Sequence, residues 1–147
     1  MKNYTTKAGD KLHILRLDTG DDVLACVNEL IEKEGIKNGA VISGIGTLDY
    51  CVLHMVTTTG FPAVEHFERW ENKPLELTSV DGLIADGIPH LHAVVSDSQK
   101  AYSGHLEPGC RILYLGEMLI MEIEPNRNFK RVINGKGINT LTENGQL

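Results

Sequence analysis

Short runs of alternating apolar and polar residues recur along this chain, separated by turn signals about every ten residues. Alternation with a period of two is typical of β-strands that bury one face. The runs cover residues 11–17, 50–56, 75–80, 91–95 and 102–106. Because short connections join neighbouring strands in antiparallel order, the pattern predicts a mainly antiparallel β-sheet. We interpret the sequence around Gly44-Ile45-Gly46 as a bend or bulge, because no helical pattern follows it.

One segment has the period of a helix instead. Asp21 and Asp22 favour a first turn, because acidic side chains cap the free backbone N–H groups there. Apolar residues then recur at helical spacing, and Gly35 predicts the end of the helix. The apolar stripe consists of Val23, Leu24, Val27, Leu30 and Ile31. The predicted fold class is therefore α/β of the α+β type, with one principal helix packed on the sheet.

The segment most indicative of function is a histidine-rich hairpin at residues 89–107. His90 and His92 alternate with apolar residues, so both side chains share one face of a strand. A turn centred on the polar residues that follow places His92 opposite His105, and His90 opposite Glu107. A one-residue slip in register would move His105 to the other face. In the predicted register, three imidazoles converge beside a carboxylate.

Three neutral imidazoles are suitable ligands for zinc, with nickel, copper and iron as chemical alternatives. His90, His92 and His105 are therefore the predicted metal ligands, although His-x-His on a strand also occurs as ordinary polar surface. The fourth ligand is either Glu107 or water; alternatively, Glu107 orients one imidazole from outside the metal. His54 lies in another predicted strand, and we interpret it as a structural histidine.

Composition and charge narrow the class of protein. The 147 residues have 41% hydrophobic and 23% charged content, which is typical of one globular domain. A net charge of −6 without a basic stripe is a poor match to nucleic acid. Three cysteines without Cys-x-x-Cys spacing are expected to be free thiols. With no apolar run of signal-peptide or membrane-span length, we expect a cytoplasmic protein without membrane contact.

The domain boundary is predicted near residue 134. Residues 1–134 contain all the predicted strands and the helix, so they form a single domain. Residues 135–147 are polar and rich in Asn and Gly, which favours a loose C-terminal tail.

Together these features resemble the plant and prokaryote conserved (PPC) domain family. The resemblance spans roughly residues 4–124. It is carried by residues 41–46 (VISGIG), 75–82 (LELTSVDG), 89–92 (PHLH) and 104–106 (GHL), followed by Glu117. Ser103 stands where bacterial members usually have glycine, which leaves the pattern intact.

The resemblance implies a homotrimer that binds a metal, zinc in the first place, through positions matching His90, His92 and His105. Plant relatives join this domain to AT-hooks, whose Arg-Gly-Arg-Pro core enters the DNA minor groove. No such sequence occurs here. DNA is thus a partner suggested by the family and disfavoured by the net charge.

Several functional hypotheses follow. The first is a trimeric metal-binding PPC-domain protein with a regulatory or binding role. The second is a zinc-dependent enzyme that acts on a small substrate through a metal-bound water. Tyr102, Ser103, Glu107 and Glu117 are the candidates for the general acid or base that an enzyme needs. In a third hypothesis the metal is purely structural and closes a subunit interface.

Overall fold

The computed structural model describes residues 1–147 and contains one α-helix and eight β-strands. The elements are β1 (Ala8–Asp18), α1 (Val23–Glu34), β2 (Asn38–Val56), β3 (Glu65–Ala85), β4 (Ile88–Ser96), β5 (Ala101–Leu106), β6 (Arg111–Ile123), β7 (Phe129–Ile133) and β8 (Asn139–Glu143). Six strands form one sheet in the order β1-β6-β2-β3-β4-β5, and all its pairings are antiparallel. The predicted mainly antiparallel sheet with one principal helix is confirmed.

The edge strand β5 also pairs with the C-terminal part of β2. Leu53 lies opposite Leu106, and His54 lies opposite His105. Strands β2, β3, β4 and β5 therefore close into a ring at this end of the sheet. This closure is a long-range contact that no local pattern in the sequence predicts.

Two strands are longer than the sequence predicts, β2 with 19 residues and β3 with 21. In β2 the glycine-containing segment causes register shifts on both of its sides, which confirms the predicted bulge, but the strand continues. Strand β3 also continues past the end of its alternating run at residue 80, through Gly82 to Ala85. A Cβ atom there would lie 2.1 Å from the carbonyl oxygen of His90, and the φ angle is +151°. Glycine thus lets β3 pass close to the histidines of β4.

Helix α1 begins and ends as predicted. The Asp22 carboxylate accepts a hydrogen bond from the N–H of Ala25 at 2.8 Å, and Gly35 ends the helix with a φ of 68°. The helix buries Val23, Val27 and Ile31 in a core of 22 buried residues. At 12 residues α1 is too short to cross a membrane.

The C-terminal residues differ from the predicted loose tail. Strand β8 pairs with β7 in a second, two-stranded sheet. The Asn134 side chain accepts the N–H groups of Lys136 and Ile138 and so closes the turn between the strands. Phe129 and Thr142 are buried. The Asn/Gly-rich composition therefore reflects turn chemistry rather than a lack of structure.

Candidate metal centre

The histidine hairpin has the predicted register over its paired length. His92 lies opposite His105, and the pairing continues to Ser96 and Ala101. Asp97 holds the turn, because its Oδ1 accepts the backbone N–H groups of Gln99 and of the residue that follows, at 2.8 and 3.0 Å. Local turn chemistry therefore determines which residues of β4 and β5 face each other.

Gly104 of β5 also determines where His105 lies. A Cβ atom at this position would lie 2.6 Å from the carbonyl oxygen of His54. Only glycine lets β5 approach β2 this closely, and the next residue, His105, is thereby placed beside His54. The two imidazole rings are stacked with their centres 4.6 Å apart.

The three predicted ligands come together. The rings of His90, His92 and His105 form a triangle, with centres 4.9, 5.4 and 5.5 Å apart. The Nε2 atoms of His90 and His92 are separated by 3.3 Å. Nitrogen ligands at about 2.0–2.1 Å from a tetrahedral zinc are about 3.4 Å apart, and the ring centres about 5.2 Å apart. The spacing of the ring centres is therefore close to that of three imidazoles on a tetrahedral ion, whereas the set whose ligand atoms already lie within 4.8 Å of one another is a different one, His54, His105 and Glu107.

The hairpin differs from the prediction at Glu107. Beyond His105, the chain leaves β4, and the backbone N–H of Glu107 bonds to the carbonyl oxygen of Val52 in β2. Its Oε1 lies 3.0 Å from Nδ1 of His105 and 2.5 Å from Nδ1 of His54. Glu107 thus contacts these two imidazoles, rather than facing His90. With Nδ1 of His105 engaged, its Nε2 remains available to a metal.

His54 belongs to the cluster, whereas the sequence pattern predicts a structural histidine at this position. Its side chain is 20% exposed, and its Nε2 lies 4.0 Å from a carboxylate oxygen of Glu65. The ligand atoms of His54, His105 and Glu107 all lie within 4.8 Å of one another, so they form a second possible donor set. Strand alternation in β2 could have shown which face His54 occupies, but not that β5 lies beside it.

Burial keeps part of the cluster neutral. It lowers the pKa of His90 to about 4, with a further contribution from the positive charge of Arg131. Burial also lowers the pKa of His105, while the nearby Glu107 opposes this effect. Neutral imidazole is the form that binds metal, so both side chains are suitable ligands at neutral pH.

A cleft of about 800 Å³ borders the histidines. Strands β2, β4 and β5 form its floor, and Arg131, Ile138 and Asn139 come from the C-terminal hairpin. Of the predicted acid–base candidates, only Ser103 lines this cleft.

The other acid–base candidates lie elsewhere. Glu107 is engaged by the histidines. Tyr102 packs against Trp70, and its hydroxyl bonds to Asp97. Glu117 lies on β6, opposite Arg16 of β1.

The structure is that of an α+β protein. One helix packs on an antiparallel sheet, and a histidine cluster lies at the β4–β5 hairpin. The Plants and Prokaryotes Conserved (PCC) domain family matches residues 4–124. The chain belongs to this family, as the sequence resemblance indicated. The matched region contains all the histidines of the cluster and ends before the C-terminal hairpin.

Several solved structures share the fold. A metal-containing protein from Archaeoglobus fulgidus is 23% identical, with a TM-score of 0.79 over 97% of this chain and 100% of that one. A PPC protein from Pyrococcus horikoshii is 22% identical, with a TM-score of 0.79 over 97% and 98% of the two chains. A candidate DNA-binding protein from Bacteroides thetaiotaomicron is 20% identical, with a TM-score of 0.75 over 95% and 96%. These similarities show the fold alone.

Curated relatives are much longer proteins. The bifunctional protein GlmU of Synechococcus sp. (strain JA-2-3B'a(2-13)) is 30% identical over 123 residues, which make up 82% of this chain and 18% of that protein. GlmU of strain JA-3-3Ab is 30% identical over 114 residues, or 76% and 17%. The chain spans less than a fifth of the length of these curated relatives.

Proposed function

We propose that this protein binds one divalent transition metal ion per chain through His90, His92 and His105, and acts as a trimeric regulatory or binding protein. The triangle of imidazole rings carries the proposal, with sides of 4.9, 5.4 and 5.5 Å. A tetrahedral zinc requires about 5.2 Å between ring centres, so the spacing of the three rings suits a shared ion once their nitrogen atoms turn towards it. Zinc is the first candidate because three neutral nitrogen donors suit it.

Glu107 acts in this proposal as the acceptor that orients His105. A carboxylate on the far nitrogen of a ligating imidazole fixes its tautomer and raises its basicity. The fourth position on the metal is then free for water or a small ligand. The metal-containing protein from Archaeoglobus fulgidus, which has the same fold, gives independent support for a metal.

Metal analysis of the purified protein tests the ligand set. We expect about one zinc per chain in the wild type and almost none in His92→Ala, because removing one of three donors leaves too few. The matched control is His66→Ala, since His66 is exposed and pairs with Glu68 outside the cleft. Full metal content in His92→Ala would contradict the proposal.

The competing donor set of His54, His105 and Glu107 makes the opposite prediction for one variant. With the proposed ligands, His54→Ala keeps its metal. Removing His54 frees Glu107 to bond to His105 alone, so affinity should change by no more than about tenfold. Complete loss of metal from His54→Ala, with metal retained in His90→Ala, would establish the competing set instead.

A zinc-dependent enzyme is the second candidate, favoured by the cleft of about 800 Å³ beside the histidines. A zinc with an open position supplies a Lewis acid and lowers the pKa of water. Ser103 is the candidate group in the cleft that could position a substrate. Zinc-dependent turnover of small esters or amides, lost in His92→Ala, would favour this function over binding alone.

The trimer is supported by an exposed apolar face. Strand β1 exposes Leu12 and Ile14, which are 58% and 82% accessible, and the neighbouring strands expose Ile42, Ile45 and Leu115. None of these side chains belongs to the buried core. Exposed apolar side chains on adjoining strands are typical of a subunit interface.

A further inference from the structure

The geometry points to a ligand for the cleft beside the histidines: a small monocarboxylate with an apolar body, whose carboxylate binds Arg131. The inference deepens the proposed function and rests on it, because the metal is needed to make the cleft attractive to an anion. Arg131 and its hairpin lie outside residues 4–124, the part of the chain that matches the family.

Arg131 is a cation without a carboxylate partner. Its Nη1 and Nη2 groups donate only to main-chain carbonyl oxygens, those of Ile88 at 3.2 Å and Leu83 at 3.1 Å. A guanidinium has five N–H donors in a planar fork, so donors remain for a ligand. Burial lowers the pKa of Arg131, which shows that its charge is partly shielded from water. A partly buried guanidinium without a carboxylate partner is a site for a planar oxyanion.

The C-terminal hairpin, which carries Arg131, is held to the rest of the protein by several polar contacts. Arg127, at the start of the hairpin, forms an ion pair with Glu143 at 2.5 Å and bonds to the carbonyl oxygen of Thr5 at 2.7 Å. The amide of Asn38 in turn donates to the carbonyl oxygen of Arg127 at 2.7 Å. These contacts hold Arg131 in place over the cleft before any ligand binds.

The charges lining the cleft select the kind of anion. Besides Arg131, the lining includes the carboxylates of Glu65 and Asp81, so the cleft without metal has a small negative excess. A divalent ion on the neutral histidines would reverse that sign. A monoanion then fits better than a phosphate dianion, which the two carboxylates would repel more strongly.

The remaining lining selects the body of the ligand. It is mainly apolar, with side chains from β2, from β4 and from the C-terminal hairpin: Met55, Val56, Ile88, Pro89, Val94 and Ile138. A cleft of about 800 Å³ admits a small organic molecule. An apolar chain can therefore lie along this surface while its carboxylate reaches Arg131.

Calorimetric titration of the zinc-loaded protein tests the inference with hexanoate and its uncharged isostere hexanamide as probes. We expect hexanoate to bind at least about tenfold more tightly, because only the carboxylate forms charge-assisted hydrogen bonds. Arg131→Gln should weaken hexanoate by about tenfold or more and leave hexanamide unchanged. Lys136→Gln is the matched control, since Lys136 is an exposed cation of the same hairpin outside the cleft lining. Chelator-treated protein should bind hexanoate more weakly than the zinc-loaded form.

Metal content, measured for every sample, distinguishes a failure of the proposed function from a failure of this inference. A wild type that takes up no zinc overturns the proposed function and this inference together. A wild type that holds zinc but binds hexanoate and hexanamide equally overturns the inference alone. The same holds if Arg131→Gln binds hexanoate like the wild type. The comparison of the two probes needs no variant, so equal binding overturns the inference even if Arg131→Gln does not fold, while Arg131→Gln distinguishes binding to Arg131 from binding to the zinc.

Discussion

Burial of His90 links the stability of the protein to pH. Its pKa is lowered from 6.5 to about 4 in the folded chain, first by burial and then by the charge of Arg131. Between these two values the unfolded chain binds a proton that the folded chain does not. The free energy of unfolding should therefore decrease as the pH falls from about 6.5 to about 4.

The variant His90→Gln should lose part of this dependence because it has no imidazole at this position. Thermal unfolding of chelator-treated wild type and variant, followed by circular dichroism across the same pH range, measures the difference. His105, whose pKa is also lowered, still contributes in the variant. An identical pH dependence in the two proteins would show that His90 is not desolvated as described.

At the scale of the element, the β4–β5 hairpin depends on Asp97. The Asp97 carboxylate accepts the N–H groups of Gln99 and Lys100, and its other oxygen accepts from Lys73 at 2.5 Å. These hydrogen bonds hold the pKa of Asp97 well below its usual range, the one from Lys73 foremost. Asp97→Ala should lower the melting temperature and also weaken metal binding, because the turn sets the register of His92 and His105. Retention of wild-type zinc affinity in a destabilised Asp97→Ala protein would show that the turn does not control the site.

The hydrogen bonds at the start of helix α1 predict a change in stability that can be measured. Asp22 accepts the N–H of Ala25 at 2.8 Å and that of Gly109 at 2.6 Å, so it caps the helix and also holds the loop after β5. Asp22→Ala should reduce the free energy of unfolding by about 1–2 kcal/mol. Denaturant titration measures this change. Glu32→Ala, at an exposed position on the same helix, is expected to stay within about 0.5 kcal/mol of the wild type.

At the scale of the whole molecule, we expect a trimer. Light scattering coupled to size exclusion should report close to three times the chain mass of 16.2 kDa. Ile14→Lys should dissociate the assembly, because it places a charge in the exposed apolar face. Ile133→Lys is the control, since Ile133 is similarly exposed, at 70%, but lies on the C-terminal hairpin. A wild-type monomer at micromolar concentration would contradict this prediction.

The net charge of the assembled protein argues against specific DNA binding. A trimer would carry −18, three times the −6 of one chain. Two cations near the C-terminus are also not displayed to a polyanion, because Arg127 pairs with Glu143 and Arg131 lines the cleft. We therefore expect at most weak association with duplex DNA near 50 mM salt, lost by about 200 mM. Anisotropy titrations measure this, and nanomolar, sequence-selective binding at physiological salt would contradict it.

Local patterns in the sequence are enough to predict the features that depend on neighbours along the chain. The caps of α1 at Asp22 and Gly35, and the hairpin register that pairs His92 with His105, follow from local turn and cap chemistry. The fold class and the family followed as well, because alternation and motif spacing are local patterns.

Contacts between segments that are distant in the sequence cannot be predicted from such local patterns. His54 joins Glu107 from 53 residues away because β5 closes onto β2, and that pairing has no local signal. Glu107 turns towards His54 and His105 for the same reason. Arg131 reaches the cleft because the C-terminal hairpin docks across 43 residues of sequence onto the carbonyl of Ile88. Alternation shows which face of a strand a side chain occupies, whereas packing between distant strands determines which other side chains share that face.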